Sequence, residues 1–456
     1  MKKALLLLLS LLPLLSWGQG SGLIDSVHNV ANGPLVIDSS DHTHRYVVTG
    51  HTSHYATTVV INAGYHGEVV LRNLNIHRIP NPASPSSGDP SIRVTGQRNV
   101  SNHTPVTEVD FILEGNNYVC DSIWSMPCIQ VDQGTTARFS AIDPKNNFSG
   151  TLCAVQMKWG GAGIGSVLTA YNYNRGQPLS HSRSLIEDSV STAGGNIIIS
   201  SGIIHAHGYE GCGIGGSCAY TYYDGTILIH GGIVYSEAGY CANGIGSAHD
   251  HNLYRHDDRL DYTPNSAIVI LPPAQVTAIG KPANYNPVSV PGHPLGGVST
   301  ILSLGDTSQP IVTFRTSDSL PGADIYADFS ADTTVAHILE RFAHLTQRDP
   351  HRVFLGTTGA DGLLTLHATF PSAVTFFSDA TCLTPGLLGS PYGSLSCNSL
   401  TQGGEIVLPR SDVGISLSLS LPQPLPEGYS VSQAQAECAT LTLASQDPVP
   451  LANLQV

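Results

Sequence analysis

Three stretches of this 456-residue chain collect side chains able to do chemistry. Tyr171, Tyr173 and Arg175 lie in "VLTAYNYNRGQ", Tyr220, Tyr222 and Tyr223 in "CAYTYYDG", and Tyr254 and Arg255 in "HDHNLYRHDDRLDY". Tyrosine rings stack on the apolar faces of pyranose sugars, while phenol and guanidinium groups hydrogen-bond the hydroxyls. A row of such residues suits polysaccharide. The same tyrosines could also simply cap insertion loops, and that alternative stays open.

The third stretch also holds Asp250, His251, His256, Asp257 and Asp258, next to His249 and Asp261. Imidazole favours transition metals and carboxylate oxygen favours calcium, so calcium is the one cofactor to consider. The spacing matches no zinc signature and lacks the D-x-D-x-D-G order of a calcium loop. A solvated loop with fortuitous clustering is the simpler explanation. His42, His44, His51 and His54 carry less weight in a chain with 20 histidines, and His205 and His207 alternate along one strand, facing outward together.

Catalysis has little to stand on. A glycosidase needs two carboxylates across a cleft, which Asp250, Asp257, Asp258 and Glu210 could supply only at a separation the sequence does not give. A polysaccharide lyase needs a base and cationic groups, and Lys145, Lys158, Arg138, Arg175, Arg255 and Arg259 are the cations available. No G-x-S-x-G elbow or H-E-x-x-H pair occurs.

The three tyrosine stretches share an anchor. Each follows a Gly-Ile-Gly motif: "GAGIGS" at 161–166, "GCGIGGS" at 211–217 and "NGIGSA" at 243–248. The second contains G-x-G-x-x-G spacing, but a dinucleotide fingerprint opens a helix and "CAYTYYDG" cannot start one. The glycines belong instead to a repeat. "GNIIISSGIIHAHG" (195–208) aligns with "GTILIHGGIVYSEAG" (225–239) at a period of 30, and "SAIVILPPAQVTAIG" (266–280) is a degenerate third copy. Self-similarity at this period marks stacked units. Each unit reads as two short strands around a glycine corner. Ile197, Ile199, Ile227 and Ile229 should point inward, with Ile164, Ile214 and Ile245 plugging the core at corners. Equivalent corners would place the three tyrosine stretches on one edge.

Composition bounds the rest. Residues 1–18 have the charged start (Lys2, Lys3), apolar run and small-residue end of a signal peptide, which implies export to the periplasm, cell surface or medium. The apolar run is too short for a comfortable membrane span. Without the two leader lysines, 18 basic residues face 34 acidic ones, which argues against nucleic acid and anionic lipid as partners. Nine cysteines in an exported chain permit disulfides, with Cys120/Cys128, Cys212/Cys218 and Cys382/Cys397 close enough in sequence to close small loops. The expected class is all-β: a right-handed parallel β-helix over 21–285, a linker at 286–299, an accessory β domain at 300–380 with one helix, and a β-rich C-terminal region at 381–456. That helix is "DTTVAHILERFAHL" (332–345), capped by Asp332 or Thr333, and "RVFLGTTGADGLLTLHATF" (352–370) has the form of a hairpin.

"VDFILEGNNYVCDSIWSMPCIQV", "GTLCAV", "GAGIGS" and the G-x-I-x-I-x-x-G-x-I units together resemble secreted bacterial Gly-rich right-handed β-helix proteins with carbohydrate-binding domains. The resemblance covers about 100–285. It implies a fold like that of polysaccharide lyases and polysaccharide or glycan binding at a cell surface; calcium also accompanies such proteins. The expected function is glycan binding without chemistry. The alternatives are a lyase or glycoside hydrolase on the same fold, and a structural or adhesion component contacting another protein.

Overall fold

The computed structural model describes residues 24–39, 44–79, 89–96, 101–122, 126–158, 160–166, 194–217, 223, 225–239, 242–247, 266–285, 288–290, 292–346, 349–370, 373–381, 391–398 and 400–410, with the backbone of 171–172 and 177–178. The protein is all-β; among the described residues the only α-helices are Thr333–Arg341 and Ala343–Thr346. No described helix is long and apolar enough to cross a membrane.

Strands of the N-terminal two-thirds stack in parallel ladders. One ladder runs from Leu35–Ile37 through Val59–Ile61, Ile92–Val94 and Ile129–Val131 to the Gly-Ile-Gly corners and Leu295–Gly296, always parallel. A second links Thr135–Ala141, Asn196–Ile199, Thr226–Ile229, Ala267–Ile270 and Thr300–Leu304. A third links Gly150–Gln156, Ile203–His207, Ile233–Glu237 and Gln275–Ile279. The second and third meet at Thr107–Asp121, whose first half pairs with Thr135–Ala141 and whose second half pairs with Gly150–Gln156.

The repeat sets this register. Ile197, Ile227 and Ile268 are successive partners, so like side chains lie above one another in the core, with partly buried Ile301 next in register. Fully burying each is worth roughly 1.5–3 kcal/mol. The intervening Ile198, Leu228 and Val269 are also buried, under the C-terminal unit. With both faces covered, these strands read as nearly continuous apolar runs such as "III" (197–199) and "AIVI" (267–270).

At the corners, Ile164, Ile214, Ile245 and Leu295 pair in register and are buried. The glycine after each isoleucine has positive φ (+154° at Gly165, +132° at Gly215, +121° at Gly246), and a Cβ there would strike the carbonyl of the glycine in the next unit. These glycines carry a fold requirement.

The parallel stack outruns its expected end at 285. Leu295–Gly296 and Thr300–Leu304 pair with it in parallel, so 286–299 does not separate two units. The large sheet then turns mixed. Leu364–Thr369 adds antiparallel to Thr300–Leu304 and to Ile311–Thr316, and Gly404–Leu408 joins the latter in parallel. The C-terminal unit therefore extends to at least Leu408, beyond 380. A four-stranded antiparallel sheet of Val353–Thr357, Asp324–Asp328, Val374–Thr381 and Pro391–Cys397 completes it.

Asp332 caps the helix, its carboxylate accepting from the amides of Thr334 (3.0 Å) and Val335 (3.1 Å), and Val335, Ile338 and Leu339 face a second core. The expected 352–370 hairpin does not form a ladder. The chain does turn tightly at Gly359–Leu363, but Val353–Thr357 pairs with Asp324–Asp328 while Leu364–Thr369 pairs in the large sheet. Two partner sheets outcompete the local pairing. Cys120 and Cys128, both buried, are free thiols, as is Cys212, whose pKa burial pushes up to about 12; Cys218 and Cys382 lie outside the described residues.

Candidate functional site

The residues singled out in the sequence divide sharply. Tyr173, Arg175, Tyr220, Tyr222, Tyr254 and Arg255, and the whole cluster Asp250, His251, His256, Asp257 and Asp258, lie outside the described residues. Of Tyr171 only the backbone is described, in an antiparallel pair with Gln177–Pro178. No group of three or more His, Cys, Asp or Glu among the described residues is placed to hold a metal. Tyr223 is a correction. It is fully buried in the core cluster, its hydroxyl donates to the Gly195 carbonyl, and its amide donates to Ser247 Oγ (3.0 Å). The chain re-enters the core here to begin Thr226–Ile229, so this ring cannot belong to a surface ledge.

The outer face of the third ladder carries a row of exposed aromatic and polar side chains. Alternation buries Ile204, Val234 and Val276 and turns His205, Tyr235 and Thr277 outward. Parallel register lines them up: Cys153 beside His205, His205 beside Tyr235, Tyr235 beside Thr277. The His205 and Tyr235 rings stack at 4.7 Å with 14° between their planes, close to the spacing of neighbouring strands. Tyr235 is 44% exposed.

The adjoining row is polar. His207 Nδ1 lies 3.8 Å from Glu237, and Lys281 Nζ lies 2.5 Å from the same carboxylate. The Lys281 contact holds the Glu237 carboxyl below its ordinary range. Burial lowers the His207 pKa, with Glu237 opposing the shift. Imidazole, phenol and threonine hydroxyl side by side can donate and accept hydrogen bonds, as sugar hydroxyls do.

Beyond Tyr235 the face dips into a cavity of about 310 Å³ between the ladder and the C-terminal unit. Tyr235, Gln275 and Thr277 line one side; Thr307, Thr365 and His367 line the other. His367 Nδ1 lies 2.9 Å from the Gln309 carbonyl, which fixes the ring. Glu210, just past His207 at the turn, has its pKa raised by burial to about 7.

Two signals in the sequence could have found this row. His205 and Tyr235 occupy equivalent positions of the 30-residue repeat, and the outward phase of His205 was already legible. The wall from Thr365 and His367 had no such signal, because it depends on how the C-terminal unit docks. The chain matches no family model, and comparisons with curated proteins and with solved structures found no match.

Proposed function

We propose that this is an exported, surface-located protein that binds polysaccharide on the outer face of a right-handed parallel β-helix, without catalysis. The stacked His205–Tyr235 pair, open to solvent and leading into a cavity lined by both apolar and polar side chains, carries the reading. Successive parallel ladders with a 30-residue repeat support the β-helix, and the leader-like residues 1–18 support export. The stretches with Tyr222 and Tyr254 would form a second glycan contact, and Asp250, His251, His256, Asp257 and Asp258 a calcium site.

The test is retention of the mature chain on a panel of insoluble polysaccharides, with and without chelator. Retention by at least one, reduced in Tyr235→Ala, is expected. Retention on none, or equal retention of the variant, overturns the reading. Capture of a protein in place of glycan would favour an adhesion role.

Glu210 favours a second reading. Its carboxyl, three residues beyond His207 in the chain, has a pKa raised by burial to about 7, a property of a glycosidase acid. Release of reducing or unsaturated sugars by the wild type, lost in Glu210→Gln, would favour hydrolysis or lysis over binding alone.

A further inference from the structure

The described arginines are almost all neutralised. Arg138 pairs with Asp110, Arg315 with Glu405, Arg352 with Asp379, and Arg45, Arg72, Arg78 and Arg93 each have a carboxylate within ion-pair distance. Arg410 acts on Asp318. Arg341 differs, having no carboxylate within reach among the described residues. It ends the helix Thr333–Arg341 where that helix packs on the parallel stack. Its Nη2 donates to Thr226 Oγ1 at 2.6 Å, and its guanidinium carbon sits 4.5 Å from the centre of the Phe342 ring. Its Nε is buried and has no hydrogen-bond partner.

This guanidinium borders a cavity of about 200 Å³ between the helix and the stack. His103, His337, Ser266, Ser299 and Thr333 share the lining, and among the described residues no carboxylate does. Glu340, the adjacent acid in sequence, is exposed and does not line the cavity, and Asp332 accepts from the helix amides of Thr334 and Val335. A cation removed from water without a counter-ion is costly, and so is a buried N–H without an acceptor. Burial accordingly lowers the Arg341 pKa to about 10. An oxyanion in the cavity would supply the missing counter-charge to the guanidinium, which suits carboxylate, sulfate and phosphate geometry. Hydroxyls and imidazoles around it add donors.

We propose that this cavity is a binding site for a compact oxyanion, held by Arg341 with His103 and His337. It is separate from the His205–Tyr235 face and does not depend on the glycan reading. The anion can arrive free or as a sulfate carried on a saccharide; two probes distinguish these sources.

Thermal unfolding of the full chain is followed against low-millimolar sodium sulfate at ionic strength held constant with chloride, and separately against a sulfated disaccharide and its unsulfated parent. A saturable rise in Tm with sulfate is expected and identifies a free-anion site. A rise with the sulfated disaccharide alone identifies the carried group. Arg341→Gln should abolish either response. His103→Ala with His337→Ala, both at exposed positions, should melt like the wild type without anion and bind about fivefold or more weakly, the loss of a charge-assisted contact. This second variant decides the matter should Arg341→Gln fail to fold. No saturable response to any probe, or an undiminished response in the histidine variant, overturns the proposal.

Discussion

The imidazole of His205 lies flat on the phenol ring of Tyr235, 4.7 Å between centres, although the residues are thirty apart in sequence. The repeat produces this contact, since in-register parallel strands bring equivalent outward positions within stacking distance. A two-ring platform can take a pyranose face. Removing the outer ring should therefore affect binding far more than folding. Tyr235→Ala should lower polysaccharide affinity about two- to tenfold, the value of one aromatic contact, and change stability by about 0.5 kcal/mol or less. Tyr235→Phe should retain most of the affinity. Affinity electrophoresis paired with urea unfolding measures both quantities.

The corner glycines make a prediction about folding. Gly215 combines φ of +132° with a backbone carbonyl of Gly246 where a Cβ would sit, whereas Gly33 has φ of +120° and open space. Both alanine variants incur backbone strain, but only Gly215→Ala must also displace the neighbouring unit. Gly33→Ala should cost about 1 kcal/mol and Gly215→Ala clearly more. Urea midpoints in parallel will rank them; equal costs would refute the close-packed corner.

How much of this was legible in the sequence follows from what sets each feature. Local and repeating constraints were readable: Ile197 over Ile227, the Gly-Ile-Gly corners, the Asp332 cap and the Val335–Ile338–Leu339 stripe all arise from periodicity or capping chemistry. Features set by docking were not. The partners of Leu364–Thr369 lie in a sheet that no local pattern announces, so a tight turn at Gly362 read as a hairpin. Tyr223 shows the same limit from the other side. A tyrosine in a polar stretch reads as exposed, yet its hydroxyl reaches the Gly195 carbonyl and its ring fills the core. Alternation alone turns His205 outward, but its contact with Tyr235 exists only because the two strands stack in register.

Near the N-terminus a charge pair sits wholly inside the protein. Arg78 and Asp121 are 3.3 Å apart, with side chains 2% and 0% exposed. Arg78 also donates to the Tyr55 carbonyl from Nε (3.0 Å) and Nη2 (2.6 Å), while Ser91 donates to Asp121 (3.0 Å). The pair ties Thr107–Asp121 to two loops. Removing one partner strands the other, so Arg78→Met should lose about 3–5 kcal/mol. Arg78→Met with Asp121→Leu should be less damaging than Arg78→Met alone. Chemical denaturation of the two variants gives the comparison directly.

Glu210 and His207 should set the pH dependence in opposite senses. Burial raises the Glu210 pKa from 4.5 to about 7, so between those values the folded chain keeps a proton that the unfolded chain releases. Its contribution is complete below pH 4.5, falls as pH rises and is lost above about 7. His207 is shifted downward from 6.5 by burial, so just below that pH the unfolded chain binds the extra proton and stability rises with pH. Glu210→Gln removes the first effect and leaves the second. The variant should match the wild type near pH 4 and exceed it at pH 8 by about 1–2 kcal/mol, a figure reduced from the full shift because the side chain is only half-buried. Thermal melts at the two pH values supply the check: an equal gain at both would assign the effect to packing, and no gain at pH 8 would mean that Glu210 ionises there without cost.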